Sequence, residues 1–248
     1  MIAAVAWYKE WFGADYLQLY SHRDRREAAA HVDFVEGQFV AAGGELHRPG
    51  AVLDLACGAG RHTEELLQRG YPALGVDLSL TLLAQRPELP RVGADMRNLP
   101  FAAGTFDWLL NFFTSFGYFE QERENFRVLE EVVRVLRPGG RYLIDFLNSD
   151  YVREHLQPRE CVEKEGRLVN IERWYDPDAR RINKRIRILG PDETPKTFLE
   201  SVRAYSAEEV TIGLRWAGLE VDRLFGGFQG ESFQHDSERL IIVGKKPA

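Results

Sequence analysis

The sequence predicts an α/β fold: a seven-stranded, mostly parallel sheet with helices on both faces, preceded by N-terminal helices and interrupted by a small antiparallel β insertion. Three observations predict it. Between residues 51 and 147, short apolar runs alternate with helical periodicity, the rhythm of βαβ units. The first run, "VLDL" at 52–55, passes into Cys57-Gly58-Ala59-Gly60 before a helix opens at Arg61, which is a glycine turn at a strand's carboxyl end. From about 157 to 205 the helical period disappears, and extended segments follow one another between turns.

Residues 7–40 read as one helix. Alanine and charged residues are frequent, proline is absent, and Val32, Val35, Phe39 and Val40 fall near helical spacing. Residues 1–45 together are expected to form an N-terminal helical lid. His47-Arg48-Pro49-Gly50 is a turn. A strand at about 51–56 leads to a helix over 61–69, with Leu66 and Leu67 inward and Gly70 as its stop. "ALGVD" (73–77) is the second strand, and Ser79 N-caps a short helix that ends before Pro87. A third strand at about 91–94 precedes the loop "DMRNLPF", and "FDWLLNFF" supplies a fourth at about 106–112. Residues 121–136 form a helix with Phe126, Leu129, Val133 and Leu136 on one stripe. Pro138-Gly139-Gly140 ends it, and "RYLIDFL" is the fifth strand.

The insertion, 157–205, shows three extended segments (162–174, 181–189 and 196–205) with turns at "DPDAR" (176–180) and "GPDETP" (190–195). So short a stretch has little core of its own, so the chain reads as a single domain over 1–248. Ser206-Ala207-Glu208-Glu209 is a capping box that opens a helix to Ala217, and Gly218 closes it. "LEVDRLFG" and "RLIIVGKK" complete the sheet.

A chain of 248 residues is long enough for one large α/β domain with a full core. Hydrophobic content of 44% and charged content of 28% are those of a soluble globular protein. A net charge of −6 argues against a nucleic-acid or membrane partner. Cys57 and Cys161 stand far apart without metal spacing, which argues against a disulfide framework and fits a reducing cytoplasm. The start, "MIAAVAWYKEWF", lacks the regions of a signal peptide, and no apolar run reaches the roughly 18 residues of a membrane span. No histidine or carboxylate pair has metal-ligand spacing, so no metal is expected.

An open parallel sheet binds ligands at the carboxyl ends of its strands. Gly58 and Gly60 lack Cβ atoms, so a ligand can lie against the backbone there. Asp77 ends the second strand, where an acid accepts hydrogen bonds from two ribose hydroxyls. This is a nucleoside-binding layout, which dinucleotide-binding proteins share. Three details separate the readings. The third glycine of a dinucleotide fingerprint is replaced by Thr63, with Arg61 and His62 in the turn. Asp54 lies inside the first strand, where it would repel a pyrophosphate but accept hydrogen bonds from an ammonium group. The helix before the fifth strand ends in "LRPGG".

Together "LDLACGAGRH", "GVDLS", "ADMRNLPF", "FDWLLNFF" and "EVVRVLRPGGRYLIDF" resemble class I S-adenosylmethionine-dependent methyltransferases of the small-molecule, ubiquinone-biosynthesis-like group. The resemblance is close over 51–146 and extends to the end through "SAEEVTIGLRWAGLEV". It implies a Rossmann-like sheet, S-adenosyl-L-methionine as cofactor, and methyl transfer to a small-molecule nitrogen or oxygen. Carried over by residue, it places Asp54 and the backbone of Ala56, Cys57, Gly58, Ala59 and Gly60 around the methionine part, with Arg61 and His62 beside it. Asp77 would take the ribose and Leu78 pack on the adenine. Asp95 and the Met96 backbone would read the adenine edge. Asn111 and Phe112 would lie near the sulfonium, and Tyr20 would close the lid, with Tyr16 as its alternative. The second helix, "SLTLLAQRPELP", is several residues shorter than the family's.

In the run "NFFTSFGYF" (111–119), Phe113, Phe116 and Tyr118 divide between core packing and the acceptor pocket. The 227–235 loop (Gly227, Phe228, Gln229, Glu231, His235) is a further candidate wall, with His235 in the acceptor pocket. Cys57 reads as a packed small residue rather than a nucleophile. The sequence identifies no catalytic base; His22, Asp145 and His235 are the candidates that could reach the strand tips. "RRINKRIR" (180–187) places Arg181, Arg185 and Arg187 on one strand face with Asn183. That is a solvated face or a subunit contact, such as a homodimer through the insertion, or else a path for an anionic substrate or RNA. The alternatives in function are a catalytically silent cofactor-binding protein whose insertion is an interaction surface, an RNA methyltransferase and an NAD-dependent oxidoreductase.

Overall fold

Strands alternating with helices wind into an open sheet. The computed structural model describes residues 6–20, 25–39, 50–190 and 194–248. It begins with α1 (Trp7–Trp11), α2 (Ala14–Leu19) and α3 (Arg25–Phe39). There follow β1 (Val52–Leu55), α4 (Arg61–Gln68), β2 (Ala73–Asp77), α5 (Leu80–Leu83), β3 (Arg91–Gly93), β4 (Phe106–Asn111), α6 (Glu122–Val135), β5 (Leu136–Leu147) and α7 (Ser149–His155). An insertion contributes β6 (Arg159–Lys164), β7 (Arg167–Asp176), β8 (Arg181–Leu189) and β9 (Lys196–Arg203). α8 (Ala207–Ala217), β10 (Glu220–Phe225) and β11 (Arg239–Lys245) complete the chain.

The main sheet has seven strands in the order β10-β11-β5-β4-β1-β2-β3, parallel except where β11 pairs with β5 and β10. Period-2 alternation sorts its side chains onto two faces. Leu53, Leu55, Leu109, Ile144, Phe146 and Ile242 pack with Leu129 and Val132 of α6 and Leu214 of α8. Val52, Trp108, Leu110, Leu143 and Ile241 pack with Val35 and Phe39 of α3 and Leu66 of α4. Asp54 and Asp145 alternate onto this second face. Each fully buried Leu or Ile contributes about 1.5–3 kcal/mol, which fixes the strand register and so the positions of the strand tips. α8 carries the expected capping box, with Glu209 N–H donating to Ser206 Oγ (3.1 Å) and Ser206 N–H to Glu209 (2.9 Å).

The insertion is a separate four-stranded antiparallel sheet, β6-β7-β8-β9. Its inner face (Val169, Ile171, Ile186, Ile188, Phe198) packs on Trp11 of α1 and Leu19 of α2. Leu168, Leu199 and Arg185 are exposed on its outer face.

Four local expectations need correction. The single helix over 7–40 is three helices within the described residues, broken first at Gly13, whose extended backbone (φ −137°, ψ −154°) cannot continue α1; Val40 and residues 47–49 lie outside the described residues. The segment 162–174 is two strands, because Glu165 and Gly166 both take positive φ (50° and 73°) and make a hairpin turn. α7 was not expected; Asn148 caps it, accepting from Asp150 N–H at 3.2 Å. β5 begins at Leu136, with Pro138-Gly139-Gly140 absorbed as an irregularity between the Phe106↔Leu136 and Trp108↔Arg141 pairs. Of the 190–195 turn, residues 191–193 lie outside the described residues.

Candidate active site

Strand order reverses between β1 and β4, so a crevice opens at the carboxyl ends of β1, β2 and β4. A cavity of about 210 Å3 lies there. Asp54, Leu55, Ala56, Cys57, Gly58 and Ala59 line one wall, with Asp77, Leu78 and Ser79 beside them and Asp95 and Met96 beyond.

The loop after β1 turns sharply. Ala56 (φ 58°), Gly58 (φ 58°) and Gly60 (φ 81°) are all left-handed, and Gly60 starts α4. For Ala56 that conformation costs about 1–2 kcal/mol, strain held in place by the packed strand below. At Gly58 a side chain would add bulk on the ligand side, with only a Leu82 methyl 3.9 Å away. Cys57 packs downward instead: an added Cβ on Gly75 of β2 would lie 2.7 Å from Cys57 Sγ. Burial pushes the Cys57 thiol well up, so it is inert packing.

The two carboxylates are anchored differently. Asp54 is buried and accepts from Thr63 Oγ1 at 2.6 Å; burial raises its carboxyl to about 6 against that hydrogen bond. Asp77 accepts from Gly58 N–H and Ser79 N–H, both at 2.8 Å, and thereby ties the tips of β1 and β2 together. Burial raises its carboxyl too, opposed by these backbone donors. Asp95 pairs with Arg97 (2.6 Å and 3.0 Å); burial works against its ionisation, yet Arg97 holds it below the usual carboxylate range.

Behind the glycine turn is a buried aromatic stack. His62 stacks on Phe112 (4.0 Å between centroids), and its Nε2 meets Nδ1 of His31 on α3 at 3.0 Å. His31 stacks on Phe228 at 3.7 Å. Burial lowers both imidazoles, His31 to about 4, so both are neutral at pH 7. Arg61 pairs with Glu27 of α3 and lies 4.3 Å over the Phe113 ring.

After β4 the chain makes a second strained turn, with Phe113 (φ 62°) and Thr114 (φ 54°) both left-handed. Asp145 over-determines it. Its Oδ2 accepts from Phe113 N–H (2.8 Å), its carbonyl accepts from Thr114 N–H (2.9 Å), and its Oδ1 accepts from Arg239 Nε (2.8 Å). Arg239 also donates to Thr114 Oγ1 at 3.1 Å. Farther along, Arg181 of β8 holds the carbonyls of Gly117 (3.2 Å), Tyr118 (3.1 Å) and Phe119 (3.0 Å).

These turns position an aromatic partition. Phe12, Tyr16, Tyr20, Phe113 and Tyr118 line the first cavity and also a second one of about 510 Å3. The second is closed by Tyr151 and His155 of α7 and by the inner face of the insertion, with Arg173, Lys184 and Glu200. The ring of Phe12 stacks on Tyr118 at 5.9 Å, and Ser79 Oγ donates to the Phe12 carbonyl at 2.6 Å, which ties the partition to the tip of β2.

Of the expected residues, Tyr20, Asp54, Ala56, Cys57, Gly58, Ala59, Arg61, His62, Asp77, Leu78, Asp95, Met96, Phe112, Phe113 and Tyr118 lie on the first cavity. Four do not line it. Asn111 is turned back into the sheet, its Nδ2 donating to the Leu55 carbonyl at 2.8 Å. Gly60 is the cap of α4. Phe116 is core, stacked on Tyr205 at 5.4 Å. His235 is at the surface, 3.9 Å from Asp150. Phe228 goes to the His31 stack, and the 227–235 loop lines neither cavity. Asp145 is committed to Arg239 and Phe113, and His22 lies outside the described residues. Tyr8 and Phe12, expected only as members of the N-terminal lid, and Ser79, expected only as a helix cap, also line the first cavity, and nearly all of the second was not expected. No spacing links positions 12, 118, 151 and 184, which only the tertiary fold brings together.

A methyltransferase domain family matches residues 52–140. The chain is 27% identical over 209 residues to a cypemycin N-terminal methyltransferase from a Streptomyces species, covering 79% of this chain and 84% of that one. Among solved structures it is similar to an S-adenosylmethionine-dependent methyltransferase from Clostridium acetobutylicum, with TM-score 0.79 and 18% identity over 94% of this chain and 97% of that one. It is also similar to the sugar N-methyltransferase KedS8 from a Streptoalloteichus species, with TM-score 0.69 and 22% identity over 95% of this chain and 94% of that one.

Proposed function

The chain belongs to the class I S-adenosylmethionine-dependent methyltransferases, and from that premise we propose that it methylates the amino nitrogen of a small molecule held in the second cavity. The observation that carries this reading is the shared partition: five aromatic side chains border both cavities, so the two face each other across it. Aromatic faces attract ammonium and sulfonium groups, and Glu200 adds a carboxylate to the second cavity. The names of two relatives agree, one an N-terminal and one a sugar N-methyltransferase.

The first cavity suits the cofactor. Asp54 offers a carboxylate to an ammonium group, and Asp77 offers one to a ribose diol. The bare edge of Gly58 admits close approach, and Leu78, Leu82 and Met96 give apolar surface for a base. In this reading residues 56–59 receive the methionine part, Asp95 and Met96 the adenine edge, and α1–α2 act as the lid, Tyr20 among their contacts. When bound, the cofactor supplies a methyl carbon already activated by its sulfonium. The protein's share is alignment and exclusion of water, for which effective molarity contributes several kcal/mol. No helix among the described residues is long and apolar enough to cross a membrane, and the free Cys57 and Cys161 fit a reducing cytoplasm.

Incubation with methyl-labelled S-adenosylmethionine and, in parallel, a mixture of amino sugars and short peptides and a preparation of total RNA tests the proposal. Label in an amine supports it. Label only in hydroxyl acceptors or RNA would redirect it, and cofactor binding without any label would leave the catalytically silent reading standing.

A further inference from the structure

We propose that Tyr20 and Lys184 form a proton-accepting pair that deprotonates the acceptor's ammonium group, an inference that rests on the amine reading above. Tyr20 belongs to the partition and borders both cavities. Lys184, from β8 of the insertion, donates its Nζ proton to the Tyr20 hydroxyl. Its Nζ lies 5.0 Å from the ring centroid, toward the hydroxyl end.

The lysine is fixed from both sides. In the sheet register it stands between Arg173 of β7 and Glu200 of β9. Glu200 is 3.5 Å from Lys184 Nζ and accepts from Trp11 Nε1 of α1 at 2.6 Å. Among the described residues, the groups that face the pair include Tyr16 and Trp11 from the N-terminal helices, Tyr118 from the loop after β4, Arg173 from β7 and Glu200 from β9. Glu200 offsets Lys184, and Glu160 of β6 pairs with Arg173 at 2.6 Å. The lysine in contact with the phenol oxygen places a positive charge beside it, which favours phenolate.

Other acceptors near the second cavity are engaged elsewhere. Asp145 accepts from Phe113 and Arg239, and His155 Nδ1 lies 3.0 Å from the Tyr151 carbonyl at the exposed rim. In the proposed step the ammonium N–H bond breaks, the proton goes to the Tyr20 phenolate oxygen, and the electron pair stays on nitrogen as the nucleophilic lone pair. Lys184 remains protonated, and Tyr20 passes the proton to water before the next turnover.

The pair is tested without any acceptor, by ultraviolet titration at the tyrosinate band in the ligand-free protein. Wild type minus Tyr20→Phe should show one tyrosine with a midpoint at least about one pH unit below 10. Lys184→Met should return that midpoint to 10 or above, and Lys184→Arg should keep it low. A wild-type midpoint at or above 10, or one unmoved in Lys184→Met, overturns the proposal. If Tyr20→Phe does not fold, the wild-type and Lys184→Met titrations alone still decide it. Label transfer to amines is read separately. No label in wild type defeats the amine reading and leaves the titration result intact. Equal kcat in wild type and Lys184→Met across pH 6–9 defeats the pair's role alone.

Discussion

The two cavities are walled by different materials. The first is made of strand tips and one glycine turn, with most of its wall drawn from residues 54–96. The second is made of side chains from position 12 to position 239, on helices, a loop and a sheet that do not adjoin in sequence. A wall of main chain and short carboxylates presents one fixed shape, since strand register sets it. A wall of long side chains can be re-cut by substitution without disturbing the sheet. In the proposed reading, the difference separates a binding problem that stays constant from one that varies.

The sharpest way to break this comparison is at Asp77. Asp77→Ala removes a carboxylate that accepts two backbone N–H groups. In the proposed reading it also accepts from the ribose diol, and hydrogen bonds to charged groups are worth about 1.5–3 kcal/mol each, so S-adenosylhomocysteine affinity by calorimetry should fall about 100-fold. Tyr151→Ala, across the partition, should change it by less than about threefold. If both variants weaken binding equally, the two cavities are one site.

Next is Asp145→Ala, which releases two left-handed residues and strands Arg239. Breaking a buried pair costs about 3–5 kcal/mol. Because Arg239 is part-exposed, about 2–3 kcal/mol is expected, or a fall in Tm of roughly 5–10 °C in thermal unfolding. Asp145→Asn should recover part of it.

A smaller effect follows from Asp54. Its carboxyl titrates near 6 in the folded protein, against 3.8 ordinarily. The folded, ligand-free state thus holds the proton more tightly than the unfolded chain, and this group's contribution to stability declines as pH rises from about 4 to 6. Ammonium binding needs the ionised form and goes the other way: cofactor affinity should weaken about tenfold from pH 7 to pH 5. Asp54→Asn should bind weakly and without that slope. His31, lowered to about 4, has the opposite sign for stability: its contribution is lost as pH falls below 6.5. The Asn variant isolates the aspartate.

The smallest effect separates arginines of one strand. Arg185 pairs with Glu172 at the exposed face, and Arg185→Ala should shift stability by less than about 0.5 kcal/mol. Arg181→Ala leaves the Tyr118 carbonyl without the donor it has here, while Arg203 N–H still serves Gly117 and Asn125 Nδ2 still serves Phe119, and about 1–3 kcal/mol should be lost. Denaturant titration of both variants checks the contrast.

Much of the fold was legible because strand and helix signals are local. Asp54, Gly58 and Asp77 could be read for the same reason, since their geometry follows from where β1 and β2 stop. Asn111 could not, because it sits at the right tip but its side chain satisfies the Leu55 carbonyl. Phe113 and Phe116, three residues apart, go to the partition and to the core. What separates them is a left-handed turn held by Asp145 and Arg239, and Arg239 lies 126 residues beyond Phe113. The basic run 180–187 looked uniform and is not, because Arg181 is drawn inward by three carbonyls and Arg185 is not.

The apolar seam between α1–α2 and the insertion joins the beginning of the chain to strands more than 140 residues later. During synthesis Trp11 and Leu19 emerge long before Val169, Ile171 and Ile186 exist to cover them. The parallel sheet between them can assemble from nearer neighbours, but this seam waits for a long loop closure, with Trp11 and Glu200 separated by 189 residues. The side of the protein that holds the second cavity thus stays open until the insertion has emerged, and a chain stalled before β9 would lack it.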